Sequence, residues 1–119
     1  ARGKEAITGY EVLMTSVDKK YSLLVLTPFT GRRHQLRAHL FHQGHGIVGD
    51  KQYGGCEEVF IRSVLGATTL QEIQEVFGAT RQLLHCFSIT CLHPKNDEIV
   101  FFSSKLREDM SEFISKHVI

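Results

Sequence analysis

From Gly44 to Gly55, five of twelve residues are glycine, and no other stretch so narrows what this chain can build. Backbone without side chains reaches positive φ and lets neighbouring chain approach closely, so the segment reads as a loop with special conformational demands. The residues before it are helical in composition: Arg33–Gln43, with Thr30-Gly31 at the N-cap position and Gly44 as the closing cap. Further upstream, Ile7–Ser16 alternates as a strand does, and Tyr21–Thr27 is β-rich and apolar enough for a central strand. Asp18-Lys19-Lys20 forms the turn between them, and Pro28, which offers no ladder donor, ends the second strand. Downstream, Thr69–Phe77 predicts a helix with Thr69 and Glu72 as a capping box. Leu83–Leu92 and Glu98–Ser103 predict a second hairpin turning at His93-Pro94-Lys95-Asn96-Asp97. Glu108–His117 is an amphipathic closing helix with its acids first and Lys116 and His117 last. There is no linker, repeat or low-complexity segment. The 119 residues, 42% hydrophobic and 23% charged, make one domain long enough to bury a core. The predicted class is α+β, a mixed or antiparallel sheet with flanking helices.

The net charge of +1 hides an uneven distribution. Between Asp18 and Asp50 there is no carboxylate, yet Lys19, Lys20, Arg32, Arg33 and Arg37 all fall there, with His34, His39, His42 and His45. The acids collect elsewhere, at Glu57, Glu58, Glu72, Glu75, Asp97, Glu98, Glu108, Asp109 and Glu112. One surface is therefore basic and suited to a polyanion, or else simply a solvated helix face. On a helical wheel Leu36 and Leu40 define the buried stripe, Phe41 widens it, and Arg37 falls inside that apolar sector. A guanidinium there needs an anion, because an uncompensated buried charge costs several kcal/mol. The candidates are an ordinary ion pair with Asp50 or a C-terminal acid, a catalytic carboxylate, or a nucleic-acid phosphate. Arg32, Arg33 and His34 at the helix N-terminus suit phosphate oxygens. Gln35 and His39 are placed on the other side, donating to a base or solvated.

Several chemistries lack their signatures. His39 and His42 have metal-ligand spacing, but no carboxylate accompanies them and there is no H-E-x-x-H or C-x-x-C, so no metal is expected. Nucleophile-elbow, P-loop and dinucleotide-binding motifs are also missing. Cys56, Cys86 and Cys91 are an odd number without a secretion signal, which predicts reduced, small buried side chains. Ala1–Ala6 carries no apolar signal core and no run is long enough to span a membrane as a helix. A cytoplasmic setting follows, or an organelle in a eukaryote.

The run Leu26-Thr-Pro-Phe-Thr-Gly-Arg-Arg-His-Gln-Leu-Arg-Ala-His-Leu40, with Gly44-His45-Gly46-Ile47-Val48-Gly49-Asp50 and Tyr53-Gly54, resembles the RluA-type pseudouridine synthases. Their pattern is L-x-P-x-T-G-R-x-H-Q-I/L-R-x-H-L, then G-H-P-I-x-G-D-x-x-Y-G. Leu83-Leu84-His85-Cys86 resembles the family's L-H-A segment, His93-Pro94 its T-H-P hairpin, and Glu108-Asp109-Met110 its closing P-x-D. The likeness covers almost the whole chain in order. It implies an enzyme that isomerises uridine to pseudouridine in structured RNA, ribosomal or transfer, without a cofactor. The family detaches the uracil, rotates it and rejoins it through C5, using an aspartate in an H-R-L-D motif. By position Arg37 is the arginine that pairs with that aspartate. Leu84 would wall the uracil pocket, and Arg32, Arg33, His34, Gln35, His39 and Lys51 would contact RNA.

The departures are informative. Gly46 stands where the family has proline, and Arg33 at the variable position adds charge. Asp18, Asp50, Asp97 and Asp109 are the only aspartates, and none lies in H-R-L-D. The expectation is that 1–119 forms the C-terminal part of one catalytic domain, inactive alone, a monomer when joined to its N-terminal part. Ile7–Leu13 resembles the strand that follows the family's base-stacking tyrosine. Two other functions remain open on the residues: an RNA-binding module using the basic helix 32–43 without chemistry, and a basic face that pairs with the acids of a protein.

Overall fold

Asp18 builds the first turn. Its carboxylate accepts from the Ser16 hydroxyl at 2.7 Å and from the Lys20 N–H at 3.1 Å, and Lys19 takes positive φ between them. These bonds to the charged form hold the Asp18 carboxyl below its usual range, led by the one from Ser16. Around this turn β1 (Thr8–Thr15) pairs antiparallel with β2 (Ser22–Pro28), from Thr8 opposite Pro28 to Thr15 opposite Ser22, with an irregularity between Val12 and Met14. This computed structural model describes residues 3–119. Ala1 and Arg2, the first residues of the Ala1–Ala6 stretch without an apolar signal core, lie outside the described residues.

Helix α1 (Gln35–His42) begins later than its composition predicts. Thr30-Gly31 is not the cap. His34 occupies the N-cap in the left-handed region at φ 53°, without a side-chain cap bond. Gln35 does the work instead: its Oε1 accepts from the Thr30 hydroxyl and the Arg32 N–H, and its Nε2 donates to the Ile7 carbonyl and the Thr8 hydroxyl. The helix start is thereby tied to β1. At the other end Gly44, at φ 82°, closes the helix as expected.

Within the glycine-rich loop the demand is steric as well as conformational. Gly49 has φ 83°, and a Cβ there would run into the Arg81 carbonyl. A Cβ on Gly54 would collide with the Asp50 carbonyl and the Phe77 ring. These contacts press the loop against residues 77–81.

Between Gly55 and Thr69, where the sequence predicts no element, α2 (Glu57–Val64) forms and packs on α3 (Leu70–Phe77). Val59, Ile73 and Phe77 meet in the buried cluster, with Cys56 at its edge. Thr69 caps α3 by accepting from the Glu72 N–H at 3.1 Å. The reciprocal half of the capping box is not made; the Glu72 carboxylate instead accepts from Arg62 Nη1 at 3.0 Å and Nη2 at 2.7 Å.

The second hairpin joins β3 (Ser88–Leu92) to β4 (Ile99–Ser103), in register from Ser88 opposite Ser103 to Leu92 opposite Ile99. The predicted strand from Leu83 is too long: residues 83–87 run unpaired by any ladder. Cys86 therefore lies outside β3. Cys86 and Cys91 are exposed and Cys56 half-buried, so the expectation of buried thiols is corrected; all are free. Helix α4 (Glu108–His117) follows its predicted bounds. It is held by Arg81, which donates to Asp109 at 2.6 and 2.8 Å, and by Phe113, edge-on to Tyr21 at 5.1 Å.

The class is α+β, with the described strands forming two separate antiparallel pairs rather than one sheet. None of the described strands is central, and both hairpins leave large apolar side chains exposed, among them Tyr10, Val12, Ile89, Ile99, Phe101 and Phe102. The buried apolar residues described are Val59, Ile73, Phe77, Ala79 and Val118, a smaller core than the chain length predicts. The radius of gyration is 16.4 Å, against about 13.5 Å for a compact chain of this length.

Candidate active site

Arg37 projects from α1 toward the glycine-rich loop and meets Asp50. Its Nε donates to Oδ2 and its Nη2 to Oδ1, both at 2.8 Å. Of the anions the sequence left open for Arg37, this structure supplies Asp50. The parallel pair is the planar, bidentate geometry in which a guanidinium binds a carboxylate most strongly. The side chains are 17% and 0% exposed, and Asp50, at 1%, is the one large side chain fully buried among the described residues.

Burial alone would push the Asp50 carboxyl up. The Arg37 guanidinium and the Tyr53 N–H, which donates to Oδ1 at 3.0 Å, outweigh it and hold the group below its ordinary 3.8. The bond to Asp50 in turn raises Arg37 above its already high value, against the effect of burial. Both groups are charged across the physiological range.

Tyr53 completes the arrangement. Its backbone serves Asp50, while its ring lies under the guanidinium with Arg37 Cζ 5.2 Å from the centroid. Its hydroxyl is 3.3 Å from His34 Nδ1, and the two rings meet edge-on at 5.8 Å. Arg37 of α1, its N-cap His34 and the loop residues Asp50 and Tyr53 are thus interlocked. Asp50 and Tyr53 also line a cavity of 360 Å³ shared with Tyr21, Phe41, Val76 and Phe77.

The other predicted site residues are distributed unevenly. Arg32 and Arg33 are exposed at the start of α1, Arg32 giving its Nε–H to the Glu5 carbonyl at 2.9 Å. Lys51 donates to the Thr80 carbonyl at 2.8 Å and so also pins the loop. Gln35 is a correction: at 6% exposure, with both ends of its amide spent on neighbouring groups, it has nothing left to offer RNA. His39 is half-buried with Nδ1 2.8 Å from the Thr8 hydroxyl, so one ring nitrogen faces β1. Leu84 is half-buried and does not line the cavity. Among the described residues no three His, Cys, Asp or Glu side chains gather as metal ligands. Asp50 and Tyr53 are the residues that sequence reasoning undervalued. Their signal was Arg37 itself, which demanded an anion that the loop was placed to give.

Comparison with known proteins bears on the chain's relatives. The chain is 38% identical over 117 residues to an uncharacterized RNA pseudouridine synthase of Chlorobaculum parvum, covering 98% of this chain and 34% of that protein. The chain is a relative of the RluA-type pseudouridine synthases. Ribosomal large subunit pseudouridine synthase D of Buchnera aphidicola is 30% identical over 94% of the chain and 34% of its own length. The tRNA pseudouridine synthase C of Haemophilus influenzae is 30% identical over 95% of the chain and 46% of its own. No family model matches the chain. The chain spans about a third of the length of the first of these curated relatives. In RluA-type terms, Arg37, Asp50 and Tyr53 all fall in the two segments that carry the resemblance.

Proposed function

We propose that the protein to which this chain belongs is an RNA pseudouridine synthase, and that this chain supplies the C-terminal part of its single catalytic domain. The observation that carries the reading is similarity over nearly the whole chain to proteins named as such, with its densest segments converging on one buried ion pair. The reaction is an isomerisation: the N1–C1′ bond breaks, a C5–C1′ bond forms, and the C5 proton is replaced by one on N1. No net oxidant, reductant or group donor is needed, so the chemistry calls for no cofactor. The target base must leave its stack to be reached.

Within this reading Arg37 faces the essential aspartate, which the N-terminal part supplies. Asp50 occupies the Nε edge of the guanidinium, leaving Nη1 and the outer hydrogen of Nη2 for that second carboxylate. Arg32, Arg33, His34 and Lys51 carry the phosphates of RNA past the start of α1, with His39 at the edge of the same surface, and Leu84 walls the uracil pocket. Ribosomal or transfer RNA is the substrate class, the complete enzyme is a monomer, and its setting is cytoplasmic.

The test uses the complete protein on structured RNA, scoring uridine converted to pseudouridine. Arg37→Lys keeps charge but loses the planar fork. Turnover should fall by on the order of 10²–10³-fold, the scale of losing one preorganised electrostatic contact, while RNA affinity changes little. Equal losses in turnover and affinity would remove Arg37 from the chemistry. RNA binding with no conversion by the unmutated protein would leave only the binding module. Indifference to RNA would favour a basic face that pairs with protein acids.

A further inference from the structure

We propose that Asp50 is a positioning residue for Arg37, and that the loop from Gly49 to Tyr53 exists to aim that guanidinium at the reacting site. The inference rests on the synthase reading and deepens it. An arginine on a short helix has several rotatable bonds, and an unrestrained guanidinium would sweep a wide arc. Here three contacts remove that freedom. The Asp50 carboxylate fixes the Nε edge in its plane at 2.8 Å for each bond, the Tyr53 ring limits movement out of the plane, and the Tyr53 N–H fixes the carboxylate in turn.

Asp50 is itself held by its surroundings. Its side chain is wholly buried, and Gly49 beside it packs where a Cβ would meet the Arg81 carbonyl. The Asp50 N–H donates to the Ile47 carbonyl at 3.1 Å. The His34–Tyr53 contact links this frame to the start of α1, where His34 holds a left-handed conformation that costs a non-glycine residue. A residue tied down on every side next to the one arginine of an apolar face serves precision of placement better than it serves stability alone.

The experiment is a double-mutant cycle in the complete protein, with kcat and KM measured separately on a structured RNA. Asp50→Asn keeps the acceptor for the Tyr53 N–H but loses the charged fork. A drop of roughly 10–100-fold in kcat with KM unchanged is expected, and no further drop when it is added to Arg37→Lys. Losses that multiply in the double variant, or fall mainly on KM, would overturn the proposal. Should Asp50→Asn fail to fold, Asp50→Glu keeps the ion pair while displacing it by one methylene, and the same cycle is read with it. The Arg37 Nε–H resonance in arginine-labelled protein separates the two levels of inference. Absence of a slowly exchanging Nε–H in an active enzyme refutes positioning and leaves the synthase reading intact. Its presence in a protein that converts no uridine refutes the synthase reading and the positioning role with it.

Discussion

Arg37 sits where a helix normally buries leucine, and the structure shows what makes that tolerable. Desolvating two charges is costly, and the return depends on geometry and on satisfying the remaining lone pairs. Here the fork is bidentate, the carboxylate takes a further N–H from Tyr53, and the guanidinium keeps an exposed edge. Because the folded Asp50 carboxyl titrates below its ordinary 3.8, its protonation is linked to unfolding. The sign is fixed: its contribution is complete above the unfolded value and is lost as pH falls through the lower, folded value. Urea midpoints of the complete protein should therefore fall with acidification below about pH 4. Asp18 and Asp109 are lowered too, so the informative quantity is the difference between the unmutated protein and Asp50→Asn. That difference should shrink as pH falls; a gap independent of pH would detach Asp50 from the acid limb.

At the scale of elements, the start of α1 is decided by a side chain rather than by capping chemistry. Thr30 and Gly31 carry the usual signals of a cap, but the Thr30 hydroxyl is used by Gln35, and the backbone turns through His34 before the helix begins. Gln35→Ala should destabilise the protein by about 1–3 kcal/mol, the loss of the several hydrogen bonds its buried amide makes to half-buried and exposed groups, with RNA affinity at low denaturant unchanged. Arg33→Ala should do the reverse, leaving melting unchanged and weakening RNA binding, with a shallower salt dependence. Parallel melting and RNA titration of the two variants checks this, and weakened RNA binding by folded Gln35→Ala would return Gln35 to the interface. The missed helix α2 has a comparable explanation. It is one short helix whose residue Val59 gains burial only against Ile73 and Phe77 of α3, so its stability is a property of the pair.

For the whole molecule the dominant fact is apolar surface without cover. Two-stranded hairpins are marginal by themselves in water, and β3–β4 exposes Ile89, Leu92, Ile99, Phe101 and Phe102. Surface of this kind marks a face made to be buried against something. In the proposed complete enzyme its cover is the rest of the catalytic domain. The 119-residue chain prepared alone should bind a hydrophobic dye and associate as concentration rises, whereas the complete protein should do neither. A dye-silent, monodisperse 119-residue chain would contradict that reading of the sheet faces. No described helix is long and apolar enough to cross a membrane, so the exposed apolar residues do not form a spanning helix.

Local chemistry was enough to place most elements. The Asp18 turn, the two hairpins, the Gly44 stop, the Thr69 cap and the bounds of α4 all follow from interactions between residues close in sequence, and such interactions can be read in order along the chain. The anomaly of Arg37 was legible for the same reason, since helical periodicity alone puts it on the apolar face. Asp50 was among the anions open to it, but nothing local chose between them. Asp50 and Tyr53 meet Arg37, and Tyr53 meets His34, only once the loop has folded back, steered by positive φ and by close approach to the Arg81 carbonyl and the Phe77 ring. The inward turn of Gln35 and the exposure of Cys86 and Cys91 were likewise decided by packing across long sequence separations. Sequence determined which residues stand out, because periodicity and spacing are local; the tertiary structure decided which of them touch.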